Sequence, residues 1–181
     1  MSGPLGYLFW HRPGAIEAAV YEETAHSFHR ALAADPPAGF LTSWTWRLPA
    51  PPWFDGPDPT YLDVYLTADL STLADLERGA VSGSRRPSHD RAAGAMAAGA
   101  GALMQLVAGT AAPHAWGSLA FVDEPPGVER EPFVAGLARS NASVWMRRLV
   151  LGPGPEYLVT GADQLPSGVV WSTTPTALIT S

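Results

Sequence analysis

One order of local signals occurs twice in this chain, and nothing else in the sequence restricts the fold as much. The first copy starts with "LGYLFW", a short aromatic run from Leu5 to Trp10 ended by Arg12-Pro13-Gly14. A helical stretch follows from Ile16 to Leu32. There Ile16, Val20, Phe28 and Leu32 form the apolar stripe, with Glu22, Glu23, His26 and His29 mostly off it. The copy continues with the strand "GFLTSWTWRL", a Pro-rich loop and the strand "YLDVYL". The second copy runs "LAFVDEPPG", a helix from Glu129 to Ala138, "SVWMRRLVL", "GPGP" and "EYLVTG". Few residues are identical, so the repeat lies in order and punctuation: a duplicated β-α-β-β unit.

Between the copies, Ser71 reads as the cap of a helix ending near Ala80. The break Ser82-Gly83-Ser84 leads into "RRPSHDR", and eighteen uncharged residues from Ala92 to Gly109 follow. Ala and Gly dominate that run, which predicts a close-packing helix from Ala92 to about Val107. It is long enough to span a bilayer, but its small residues, Gln105 and missing aromatic anchors argue for a water-soluble element. The N-terminus lacks a basic region followed by a long apolar run, so no signal peptide is expected.

The length, 181 residues, suits one domain with a full core. We read residues 1–161 as that domain, with half-units at about 5–110 and 114–161, and 162–181 as an extended tail anchored by Trp171. Alternating β-α-β-β-α-β elements give an antiparallel ferredoxin-like sheet with helices on one face, an α+β fold. The bare face needs a second sheet, from a second chain or from the other half of this one. The Tyr61/Asp63/Tyr65 face is assigned to that covered interior.

Composition excludes several chemistries. No lysine is present, so no side-chain Schiff base can form. No cysteine is present, so thiolate nucleophiles, disulfides and cysteine-held metals are out. A net charge of -6 argues against nucleic acid as partner. Only 15% of residues are charged and 46% are hydrophobic, which points to an apolar pocket or a homodimer interface. A cytoplasmic protein is expected.

"YLFWHRPGAIEAAVYEETAHSFHRAL", "YLDVYLTAD" and "SRRPSHDRAAGAM" together resemble the dimeric α+β barrel superfamily. Its members include antibiotic-biosynthesis-monooxygenase-like, EthD-like and NIPSNAP-like proteins and small polyketide cyclases. The resemblance covers roughly residues 5 to 110. The chain is longer than single-unit members, and its second half lacks the final helix. The resemblance implies a ferredoxin-like barrel and a small-molecule substrate. It does not choose between oxygenase, cyclase, haem-linked enzyme and non-enzyme.

Asp63, with Tyr61 and Tyr65 on its face, is the first catalytic candidate, since a carboxylate among aromatics tends toward a raised pKa. A structural Asp63–Arg47 or Asp63–Arg148 pair is the competing reading. His89, next to Asp90, suits a general base near neutral pH, and Tyr65 joins the pair. Arg47, Arg85 and Arg86 are candidates for holding a carboxylate or enolate. The other reading of "RRPSHDR" is a helix start capped by Ser88 with solvated arginines. His11, Trp44 and Trp53 complete the expected substrate site, Trp53 as a lid; core packing is the competing role for the tryptophans. His26, His29 and His89 lack a matching carboxylate motif, so no metal is assigned. No cofactor is needed, with histidine-held haem left open. The function expected is cofactor-independent acid/base chemistry of monooxygenase, cyclase or isomerase type on an aromatic or polyketide-like substrate. The alternative is a non-catalytic binding or interaction protein.

Overall fold

The computed structural model describes residues 3–112, 116–138, 142–148 and 154–180. Its elements run β1 (Leu5–Pro13), α1 (Ala18–Ala34), β2 (Phe40–Leu48), β3 (Thr60–Thr67), α2 (Leu70–Ala80), α3 (Arg86–Ala95), β4 (Met96–Ala108), β5 (Leu119–Val122), α4 (Arg130–Leu137), β6 (Ser143–Arg147), β7 (Tyr157–Thr160), β8 (Val169–Thr173) and β9 (Thr176–Thr180). A short 3₁₀ turn, Gly83–Arg85, joins α2 to α3. All the strands form one sheet in the order β8-β5-β7-β6-β4-β1-β3-β2-β9.

That order shows the duplication. The order β4-β1-β3-β2 of the first half recurs as β8-β5-β7-β6 in the second, and β6 pairs with β4 to join them. The registers agree residue by residue. Leu62 on β3 sits between Trp10 on β1 and Trp46 on β2. Leu158 on β7 sits between Phe121 on β5 and Trp145 on β6. No helix lies between β7 and β8, so the second half keeps only α4.

The sheet curls so that the inner faces of both halves meet in one core. Trp10, Trp44, Trp46, Leu62 and Met104 pack there with Trp116, Phe121, Trp145 and Leu158. Trp44 meets Trp116 edge to face at 5.1 Å, and Trp53 and Trp171 do so at 5.6 Å. Burying an indole removes on the order of 200 Å² from water, several kcal/mol each at ~25 cal/mol per Å². The core therefore draws both halves of one chain around the same tryptophans. Trp171 anchors the segment after residue 161, whose β8 and β9 pair with β5 and β2.

Several local expectations are corrected. The Ala/Gly run is not a helix throughout: α3 ends at Ala95 and β4 follows. From Ala98 to Ala102 alanine and glycine alternate, a period of two. The alanines face the tryptophan core. Gly99 and Gly101 face outward, where an added Cβ would lie 2.4 Å from the Phe9 ring and 2.4 Å from the Tyr7 hydroxyl. Pairing with β1 along one edge and β6 along the other outweighs the helix propensity of alanine. Asp69, not Ser71, caps α2, accepting from the Thr72 amide at 2.9 Å. Ser88 lies inside α3 and donates back to the Arg85 carbonyl. The buried stripe of α1 is Tyr21, Ala25, Phe28, His29 and Leu32, while Val20 is exposed. The Tyr61/Asp63/Tyr65 face is not the barrel interior either: Leu62, Val64 and Leu66 point inward. Among the described residues, no helix is long and apolar enough to cross a membrane.

Candidate active site

The outward face of β1, β2 and β3 is covered by α1, α2 and α3, and a cavity of about 410 Å³ lies between sheet and helices. Its floor is built by strand alternation. Tyr7, Phe9 and His11 project from β1 as a row of near-parallel rings, 6.1 Å and 5.6 Å apart. Gly99 and Gly101 on the neighbouring strand leave room for the first two. Tyr65 continues the row from β3. The helices supply Tyr21, Ala25 and Phe28 from α1, Leu73, Leu76 and Glu77 from α2, and His89 and Ala92 from α3.

Asp63 lies in that floor, 6% exposed. Thr45 donates to its Oδ1 at 2.5 Å and Tyr65 to its Oδ2 at 2.8 Å. The Nε2 atoms of His11 and His29 face Oδ1 at 3.2 and 3.3 Å, His11 off the axis of a hydrogen bond. Burial alone would push the pKa of Asp63 up. The two imidazoles reverse that and hold it well below the usual carboxylate range. The raised pKa expected for Asp63 is thus corrected, and its partners are histidines rather than Arg47 or Arg148.

The proton positions follow from the donor inventory. Thr45 spends its one proton on Asp63, so its oxygen accepts from His29 Nε2–H at 3.0 Å. The remaining nitrogen of His29 meets the Ser43 hydroxyl at 2.7 Å. His11 turns Nε2 toward Asp63, and its Nδ1 meets the Tyr21 hydroxyl. Burial first, then the Asp63 charge, raises the pKa of Tyr65 far above an ordinary phenol, and the same causes raise that of Tyr21. Both stay protonated across the working pH range. His89 stands higher in the wall, with Nδ1 3.1 Å from Asp90 and its ring edge-on to Phe28. A proton on Nδ1 leaves Nε2 as the accepting nitrogen.

The cavity therefore brings together Asp63, Tyr65, His89 and His11. It does not bring in the other candidates. Arg47 is exposed and pairs with Glu22, Arg85 pairs with Asp35, and Arg86 pairs with Asp90. Trp44 and Trp53 belong to the core on the opposite face. His26 meets the Leu178 carbonyl at 3.0 Å, away from His29 and His89. Among the described residues, no three His, Asp or Glu side chains are placed to hold a metal ion. Tyr21, His29 and Thr45 were missed. Thr45 shares a strand face with Ser43 and Arg47, and Tyr21 and His29 are eight residues apart on one helical face. Those spacings were the available signal.

Among the described residues, the matched positions of the second half carry no such set. With Leu62 placed on Leu158, the registers put His11 at Val122, Thr45 at Val144 and Asp63 at Val159. There the outward face is an apolar layer of Ala120, Val122, Val144, Met146, Tyr157 and Val159 beneath Leu137.

No family model matches the chain, and no curated protein does. Two solved structures match along its length. A candidate monooxygenase from Fusobacterium nucleatum subsp. nucleatum ATCC 25586 covers 99% of this chain and 94% of its own, at 10% identity and a TM-score of 0.62. Another from Lactobacillus acidophilus NCFM covers 99% and 96%, at 8% identity and a TM-score of 0.59. The chain has the fold of these proteins, a ferredoxin-like α+β barrel. A candidate antibiotic-biosynthesis monooxygenase from Caulobacter crescentus CB15 matches 59% of this chain and 92% of its own at 16% identity, with a TM-score of 0.46. At such identities the likeness is one of fold.

Proposed function

We propose that the chain is a small-molecule enzyme whose active site is the cavity beneath α1, α2 and α3. It carries out cofactor-independent acid/base chemistry, of monooxygenase, cyclase or isomerase type, on an aromatic or polyketide-like substrate. The observation that carries this reading is the contrast at three matched positions. Valines fill them in one copy of the unit, so the fold does not need His11, Thr45 and Asp63 in the other. A buried carboxylate with two imidazoles is expensive to assemble for packing alone. It is placed against an aromatic-walled cavity of ligand size.

The roles follow from the proton inventory. Asp63 is held anionic and is a weak base, so it orients and balances charge. His11, held by Tyr21, stands between the cavity and that anion and balances its charge. Tyr65 lies over the floor with its proton on Asp63. His89 accepts a proton from the substrate, its tautomer set by Asp90. A homodimer belongs to the proposal as well, although the described lining comes from one chain; sedimentation equilibrium reads it. A second reading, a binding protein without turnover, is favoured by the low basicity of Asp63.

The test is turnover on a panel of polycyclic phenols and ketones, with dioxygen uptake and product mass as readouts. Asp63→Asn and His89→Ala are expected to lower kcat by about 10²- to 10⁴-fold, the usual share of a positioned acid or base. Both variants folded and fully active would end the assignment. Binding with no turnover of any panel member would favour the second reading.

A further inference from the structure

Most polar atoms of the cavity offer lone pairs, and His11 Nε2 is turned toward Asp63 at 3.2 Å. Asp63 is a carboxylate. Tyr65 gives its proton to Asp63, so its oxygen offers only lone pairs to the cavity. The Tyr21 hydroxyl is engaged with His11 Nδ1. His89 with its proton toward Asp90 presents Nε2 as an acceptor. Glu77, on the face of α2 that lines the cavity, adds a second carboxylate beside Tyr7. Tyr7 has a hydroxyl that can do either.

The charges agree. Two carboxylates line the cavity, Asp63 with the imidazoles of His11 and His29 beside it and the exposed Glu77, and among the described lining residues no arginine does. Of the arginines near its wall in sequence, Arg12 turns to the Asp55 carbonyl, Arg78, Arg85 and Arg86 pair with Asp75, Asp35 and Asp90, and Arg91 is exposed. An anion placed about 6 Å from a carboxylate that is water-exposed or has imidazoles beside it is disfavoured on the order of tenfold, and a cation is favoured to a similar degree. The apolar part of the wall is aromatic: Tyr7, Phe9, Tyr21, Phe28 and Tyr65. Ring faces attract cations and repel anions.

We propose that the cavity takes a flat aromatic ligand bearing a protonated amine, whose N–H groups donate to this set of acceptors. An ammonium supplies the donors that the acceptors lack, offsets the two carboxylates and packs on ring faces. A carboxylate or enolate supplies none of these. The inference rests on the cavity being the ligand site.

Isothermal titration with three probes that share one ring system tests it: naphthylmethylamine, naphthylmethanol and naphthoic acid, at about pH 7, where the amine is a cation and the acid an anion. The amine should bind at least tenfold more tightly than the alcohol, and the acid most weakly. Glu77→Gln, at an exposed position, should fold normally and reduce the preference for amine over alcohol three- to tenfold. Ala92→Phe should fill the cavity and weaken all three. Alcohol or acid binding as tightly as the amine, with Ala92→Phe blocking it, overturns the charge assignment and keeps the site. Amine binding that Ala92→Phe and Glu77→Gln leave unchanged, or no binding by any probe, overturns the site as well.

Discussion

Asp63 and Val159 occupy the same place in two copies of one β-α-β-β unit, and what surrounds them differs throughout. Around Val159 the outward sheet face is apolar, and one short helix, α4, closes it. Around Asp63 the face carries two imidazoles, two hydroxyls and a row of aromatic rings, and three helices stand over it. The inner faces do not diverge in this way: Trp10 matches Phe121, Trp46 matches Trp145 and Leu62 matches Leu158. The shared interior holds the halves together, so it keeps large apolar side chains in both. The outer face is released from that duty wherever helices can cover it at a distance. One half uses the freedom for a cavity, and the other uses its outer face as a second core.

The sharpest way to break the comparison is to put the charge in the wrong copy. Val159→Asp places a carboxylate in the apolar layer without imidazoles. We expect a loss of about 3–5 kcal/mol, the cost of an uncompensated buried charge, read by urea unfolding. A loss under ~1 kcal/mol would mean that the two faces are not as different as their residues.

The converse change should be milder, and it can be repaired. Asp63→Val leaves Thr45 and Tyr65 without their acceptor and two imidazoles without the carboxylate beside them, at about 3 kcal/mol. Adding His11→Val and Thr45→Val copies the second half into the first. The triple variant should regain most of that stability while turnover stays lost. If it proves less stable than Asp63→Val, the polar set serves the fold, and the functional reading weakens.

Gly99→Ala tests the floor. The new methyl group must move the Phe9 ring, at about 1–3 kcal/mol for overpacking. The shift should appear as altered ligand affinity with unchanged far-ultraviolet circular dichroism.

The smallest effect expected is in acid. The pKa of Asp63 is lower folded than unfolded, so its contribution to stability is complete above the ordinary carboxylate pKa of about 4. That contribution fades as pH falls through the folded value. The stability gap between wild type and Asp63→Asn should therefore be flat from about pH 5 to 7 and close below pH 4. A gap that widens in acid would mean that Asp63 is protonated in the fold.

Much of this could be read from residues in order. The repeat was visible because turns and strand runs are local signals, and Asp63 stood out as a charge between apolar neighbours in a strand. His11, Tyr65 and His89 were named for similar reasons. Arg85 and Arg86 were named because they cluster, but clustering along the chain says nothing about direction. Arg85 turns to Asp35 and Arg86 to Asp90, while the cavity wall near them is built from His89 and Ala92. His29 was read as a polar-face residue because imidazole scores as polar, yet it is 0% exposed behind Asp63. The run after Ala95 was misassigned because alanine favours a helix on its own, and only its pairing with β1 and β6 makes it a strand.

By itself, then, the sequence determined the duplicated unit, the α+β class, the absence of lysine and cysteine chemistry, and the presence of a carboxylate within a strand. Those properties reside in composition and in near neighbours. Only the tertiary structure decided which sheet face became the core. It also decided that the Asp63 face lies under helices, and that His11, His29, Thr45 and Tyr65 meet at one carboxylate. These residues come from three strands and a helix spread over more than fifty positions. Their meeting is set by strand register and by the burial of tryptophans on the opposite face, and no local pattern encodes either.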